Sequence, residues 1–256
     1  MTKPLIVALA ALATVELWAL PGVLTTESET LKGDIKWRAR TKQYIISVKK
    51  GTTMVDLERN LADVVSLELP KPAGYDRAVQ QVEANQGAMA ISVLSKIVSD
   101  YRMLQWDKPA GRYLAMAYIS ADQPQKALEV CEKIISEDKA AAWSGELASA
   151  YWQALMRLGK TEKLQGLLNK AASSGSRQAS AAALVMRGDI IIAAANGAPD
   201  KLKEALRDAY LRVALMYNDE ECVRERSEAM LKAASCFEKL GQTARAEKLK
   251  SQAKAL

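Results

Sequence analysis

The chain has 256 residues, 49% of them apolar and 5% aromatic, with a formal net charge of +6 and no histidine. That apolar content excludes a disordered chain, and the Ala, Leu, Lys and Glu bias favours helix over sheet. Without histidine there is no Ser–His or Cys–His nucleophile pair, and the commonest metal ligand is absent. No phosphate-binding loop or nucleophile elbow is visible. An enzyme built on Asp, Glu, Lys or Tyr remains a formal alternative, with no cofactor and no metal expected. Cys131, Cys222 and Cys236 form no zinc spacing. They read as small buried side chains, with a Cys222–Cys236 disulfide as the alternative in an exported protein.

Lys3 precedes an apolar run from Leu5 to Val15, interrupted only by Thr14 and closed by Glu16. This is the pattern of a secretory signal peptide over residues 1–19, with a small residue, Ala19, at the cleavage point. The run is too short to span a bilayer, and no cysteine lies near the cleavage region for a lipid anchor. The expected location is therefore the periplasm or cell envelope of a bacterium, with no membrane span after cleavage. A buried or interfacial amphipathic helix is the other reading of the same run.

Residues 25–70 alternate with period two. Ile35, Trp37 and Ala39 fall on one face, and Lys36, Arg38 and Arg40 on the other. Tyr44, Ile46 and Val48 follow in phase, Lys50-Gly51 marks a turn, and "TTMVDLE" and "DVVSLEL" supply further runs. A strand meander is predicted. So short a sheet needs closure or a partner, and "LKGDIKW" resembles the first strands of small SH3-like or Sm-like barrels. Eight Lys and Arg residues against three acids lie between Leu31 and Asn60. Lys36, Arg38, Arg40 and Lys42 are thus candidates for holding an anionic envelope polymer or lipid surface. An exported chain makes nucleic acid an unexpected partner. Trp37 is expected in the module's core.

Pro70, Pro72 and Gly74 break the pattern, so residues 71–75 read as a linker. From residue 76 to 256 a set of steps recurs. From Ala115, steps of 3, 7, 12, 16 and 19 reach Tyr118, Asp122, Ala127, Cys131 and Ile134. The same steps start from Ala78, Trp152 and Ala234. A further, irregular copy, the fourth in chain order, starts at Gly188 and resumes after an insertion around "NGAPD" at Ala205, Ala209 and Arg212. A small residue permits close helix approach, the residue three on shares its face, and Asn85, Gly159 or Gly241 ends the first helix. Each pair must stack on its neighbours to cover its apolar sides.

"AMAYISADQPQKALEVCEKI" and "AASCFEKLGQTARAEKLKSQA" resemble the tetratricopeptide repeat (TPR) family. The departures are a period above the family's 34 residues, the missing proline after the second helix, and Trp152 at a small-residue position. A generic Ala-rich helical bundle is the alternative. The resemblance implies a solenoid of about five hairpins whose first helices line a concave surface. The protein is then a non-enzymatic scaffold that binds another protein or peptide. The implied lining residues are Arg112 and Met116, Ser149 and Gln153, Val185 and Asp189, Leu231 and Ser235, with Arg157 and Lys239 one turn further. The basic-and-Asn clamp of the family's chaperone-binding members is not found. Arg187-Gly188-Asp189 spells an adhesion tripeptide but falls inside a predicted helix. Trp106 is expected to plug the space between the first two hairpins, or else to anchor a partner.

Overall fold

The computed structural model describes residues 19–256, so the leader expected over 1–19 lies, but for Ala19, outside the described residues. The chain divides into two units at Pro70/Lys71. The first holds β1 (Leu20–Thr26), β2 (Thr30–Arg38), β3 (Gln43–Lys50), β4 (Thr53–Asn60) and β5 (Val64–Glu68). The sheet order is β4-β3-β2-β1-β5, antiparallel throughout. A 3-10 turn, Leu61–Asp63, separates β4 from β5. The first strand begins at Leu20, ahead of the expected residue 25. "LPGVLTT" hides it, because Pro21 and Gly22 read as a break. Pro21 is tolerated since β5 pairs with β1 only from Val23 onward, leaving no ladder bond on that side to lose.

Leu24, Ile35, Trp37, Tyr44 and Ile46 fill the core of this unit. Trp37 faces Tyr44 across the β2–β3 ladder, with ring centroids 4.9 Å apart. The alternation of β3 predicts an open position at Ile45, yet Ile45 is fully buried. A central strand covered on both faces loses its polar phase. A Cβ on Gly33 would sit 2.4 Å from the Ser47 carbonyl oxygen. The glycine is therefore what lets β2 bend this close to β3.

The second unit is a row of five antiparallel hairpins. They are α1 (Tyr75–Glu83) with α2 (Gly87–Asp100), α3 (Asp107–Ser120) with α4 (Pro124–Glu137), and α5 (Glu146–Arg157) with α6 (Thr161–Ala172). The fourth pairs α7 (Arg177–Ala193) with α8 (Pro199–Ala205), a π-helical turn (Leu206–Tyr210) and α9 (Leu211–Met216). The fifth pairs α10 (Val223–Lys239) with α11 (Thr243–Lys254). This is the TPR-like arrangement of stacked helix pairs.

Four of the five hairpin turns share one geometry. Asn85, Asp122, Gly159 and Gly241 sit at φ of 62°, 55°, 65° and 73°, in the left-handed region. The next backbone N–H returns to the carbonyl five residues back: Gln86 to Gln81, Gln123 to Tyr118, Lys160 to Leu155 and Gln242 to Phe237, at 2.7–2.9 Å. This is the Schellman closure. It explains two of the recurring steps. The residue three beyond the small one supplies the accepting carbonyl, and the residue seven beyond it takes the left-handed turn.

The excess over 34 residues lies partly between hairpins. Segments 101–106 and 138–145 connect the first three, while the turns within those hairpins keep three residues. The second connection explains Trp152. Its side chain is fully buried, and its Nε1 donates to the Ala142 carbonyl at 2.9 Å in the connecting turn. In the fourth hairpin the π turn adds one residue, so the inward position after Ala209 is Val213. Arg212, which the repeat spacing places inward, is exposed. Trp106 packs against Tyr75 with centroids 5.2 Å apart, between the first two hairpins as expected. All three cysteines are buried free thiols, and no Cys222–Cys236 bridge is formed.

Asp107 opens α3 almost without solvent contact. Its carboxylate accepts from the Met103 and Lys108 amides, both at 2.7 Å. Burial outweighs those bonds and raises its pKa to about 6.

Gly159→Ala should lower the unfolding free energy by about 1 kcal/mol, because a Cβ is disfavoured in the left-handed turn; Asp122→Gly should leave it unchanged or slightly raised. Urea unfolding of the two variants checks this. For Asp107 the folded pKa exceeds the unfolded one. Its contribution to stability is therefore complete below about pH 4 and lost as pH rises through about 6. Asp107→Asn should flatten the stability profile across that window by up to about 3 kcal/mol. The measurement is unfolding free energy against pH for both chains.

Candidate functional site

The first helices of the hairpins carry small residues that seat them against their partners. The remaining faces of α3, α5, α7 and α10 turn to a common interior. α3, α5 and α10 bound a groove there of about 630 Å³. Arg112, Met116, Ser149, Gln153, Leu231 and Ser235 all line it, from three helices that are not consecutive in the chain. Val185 and Asp189 of α7 line a small adjoining recess with Ser149, Gln153 and Glu228. Arg157 and Lys239, one turn further along, are exposed and line neither. An extra helical turn carries them past the rim.

The floor of this interior is an ionic chain that the sequence spacing does not reveal. Tyr210 Oη, from the second helix of hairpin four, donates to Asp189 Oδ1 at 2.7 Å. Lys232 of α10 bonds to the other Asp189 oxygen and reaches Glu228 at 3.2 Å. Burial alone would lower the Lys232 pKa; the Glu228 and Asp189 carboxylates outweigh it and raise it. The Tyr210 hydroxyl is pushed far up, first by burial and then by Asp189. Alongside, Arg224 pairs with the buried Glu225 at 2.5 Å, and Glu225 Oε2 has no partner among the described residues. Glu228 and Lys232 stand four apart, the one local signal for this chain.

The tripeptide at 187–189 is part of the same construction. A Cβ on Gly188 would lie 2.5 Å from the Tyr210 ring, so only glycine lets that ring reach Asp189. Gly188 is buried and the Asp189 carboxylate is engaged inside the unit, which leaves no exposed loop for adhesion.

Above the floor the groove is mixed. Leu231 is 48% exposed, and Met116 is half-buried. Arg112 lies 5.0 Å over the Tyr113 ring, with its Nε buried and unpartnered among the described residues. Among the described residues no carboxylate is paired with Arg112. In the first unit, the Lys36–Arg38 face lies in register with acids. Asp34 aligns with Ser47 and Asp56, and Lys36 with Ile45 and Glu58. Arg38 bonds Glu58 at 2.6 Å, and Ser47 bonds Asp56 at 2.6 Å. Arg40 and Lys42 sit apart from that face, in the β2–β3 turn. Among the described residues no cluster of His, Cys, Asp or Glu that could hold a metal is assembled. No helix among them is long and apolar enough to cross a membrane.

No family model matches the chain, and no curated protein matches it. Among solved structures it is similar to a kinesin light chain-like protein of Podosopora anserina with nearly identical TPR-like repeats. There the TM-score is 0.39 and the identity 18%, over 70% of this chain and 91% of that one. It is also similar to MamA AMB-1, with a TM-score of 0.37 and 16% identity over 72% of this chain and 96% of that one. BtubC from P. vanneervenii aligns with a TM-score of 0.38 and 18% identity, over 70% and 76%. At these TM-scores the likeness is one of helical layout and carries nothing about activity or partner.

Asp189→Ala should leave Lys232 with Glu228 alone and the Tyr210 hydroxyl without its acceptor, and cost roughly 2 kcal/mol, less than for a fully buried pair because both side chains keep some exposure and Glu228 remains. Adding Lys232→Met should recover part of that loss. A double-mutant cycle by thermal or urea unfolding checks the coupling.

Proposed function

We propose that the chain is a non-enzymatic scaffold whose helical unit holds a segment of another protein in the groove between α3, α5 and α10. The observation that carries this is the convergence of Arg112, Met116, Gln153 and Leu231 on one open cavity. Exposed Leu231 and half-buried Met116 beside a cation with no carboxylate partner among the described residues suit a peptide with an apolar anchor and an acidic or carboxylate group. The ionic chain beneath keeps α7 and α10 in place, so the surface is formed in advance of binding, which reduces the ordering cost.

The apolar run from Leu5 to Val15, preceded by Lys3 and closed by Glu16, supports export, and we place the protein in the periplasm or envelope of a bacterium. For the first unit we propose an SH3-like barrel. Its strand order, the 3-10 turn before β5 and the bend at Gly33 support that architecture. The anionic-polymer reading has less behind it. Three acids share the face of Lys36 and Arg38 and offset most of its charge, and of the four candidate cations Arg40 and Lys42 stand clear of that face.

Photo-crosslinking residues placed at Gln153 and Leu231 should capture a defined partner in cells, while one at outward-facing Lys248 should not. Arg112→Glu with Leu231→Glu should weaken binding of the recovered partner about tenfold or more, with the fold unchanged by circular dichroism. Equal capture from Lys248, or no effect of the double variant, would remove the groove from consideration.

A further inference from the structure

A second groove lies on the far side of the last two hairpins, and none of the residues named for the interior takes part in it. It runs between the π-helical turn with α9 and the junction of α10 and α11, with a volume of about 480 Å³. Its floor is apolar: Leu206, Leu211, Phe237 and Leu240. At one end Leu215 and Met216 are 77% and 60% exposed, among the most exposed large apolar side chains of the unit. Side chains of that size left in water beside a recess mark a contact surface more than a fold requirement.

The charge around this floor has one sign. Lys203, Arg207, Arg212 and Arg245 line the groove, and among the described residues no Asp or Glu does. Their existing partners differ in strength. Asp208 holds its neighbour Arg207 through two bonds at 2.6 and 2.7 Å, Lys203 meets Asp200 at 3.4 Å in the open, and Arg245 meets the neutral Gln242 amide at 2.8 Å. The Lys203 pair is exposed and single, so it contributes little and exchanges readily; Arg207 is the cation least free to turn to a partner. Arg212 was brought to this rim by the extra residue of the π turn, which moved the inward position to Val213.

We propose that this groove is a second docking site, and that its occupant is an acidic amphipathic helix of another protein. Apolar side chains of that segment would fill the floor between Leu206 and Leu240, and its carboxylates would meet the four cations. Charge complementarity selects an acidic partner, and the recess selects a segment. A lipid bilayer presents a smooth surface and cannot follow a floor in which Leu206 and Phe237 are already buried.

The probe is a short fluorescein-labelled peptide with leucines at i, i+3, i+4 and i+7 and glutamates between, titrated into the full chain and followed by anisotropy. Saturable binding is expected with Kd on the order of 10 µM, weakening as salt rises. Arg212→Glu and Leu215→Glu should each weaken it about tenfold. Both positions are exposed, so an unchanged thermal melt establishes that the variants are folded. Arg112→Glu with Leu231→Glu, in the interior groove, should leave it unaltered. A composition-matched peptide without the leucine spacing should bind about tenfold more weakly. Failure to saturate at about 1 mM would overturn the proposal. So would equal binding of the respaced peptide, indifference to Arg212→Glu and Leu215→Glu, or binding to phosphatidylglycerol vesicles but not to the peptide. None of these outcomes bears on the interior groove.

Discussion

A helix hairpin with apolar residues on both of its flanks cannot be stable alone, and every other feature of the helical unit depends on how that surface is covered. Ala78, Ala115, Trp152, Gly188 and Ala234 each mark the place where the first helix of a pair meets its surroundings, and all five are buried. Where the residue is small, the second helix comes close enough to cover one flank. The neighbouring hairpin covers the other, as when α2 and α3 meet so tightly that a Cβ on Gly87 would lie 2.9 Å from Ala117 Cα. Trp152 shows the same demand met differently. A large ring is accepted because the connection before α5 folds over it and offers the Ala142 carbonyl to its N–H.

The fourth hairpin is where the repeat departs from its own rule, and both grooves trace to that departure. Glycine at 188 admits the Tyr210 ring, which passes from the second helix to the first and ends on Asp189. Through Lys232 that carboxylate ties hairpin four to hairpin five. The π turn that carries Tyr210 also adds one residue to its helix, turning Val213 inward and Arg212 outward. One local irregularity therefore sets the floor of the inner groove and the cationic rim of the outer one. π turns elsewhere in proteins tend to occur at functional positions, and here the consequence can be followed residue by residue.

The first unit shows how a count of charges misleads when read along a chain. Eight cations against three acids describe a basic segment. Folding places Asp34, Asp56 and Glu58 on the same sheet face as Lys36 and Arg38, so that face is nearly balanced. Arg59 likewise leaves the count by pairing with Glu29, which lies before the basic stretch. Net charge per segment and charge per surface are different quantities, because cross-strand neighbours are distant in sequence.

The sequence by itself determined what is local. Turn residues at 85, 122, 159 and 241, the number of hairpins and the inward phase of each first helix follow from backbone preference and from spacings of three, four and seven. Those act within one or two helical turns, so Arg112, Met116, Gln153, Leu231 and Ser235 could be placed on one lining before any coordinates. Tertiary structure decided the rest. Asp189 and Lys232 are 43 residues apart, strand β1 depends on partners β2 and β5, and Arg212 moved outward because a ring and a glycine had to fit. No spacing rule reaches such pairs, since they are chosen by what packs against what.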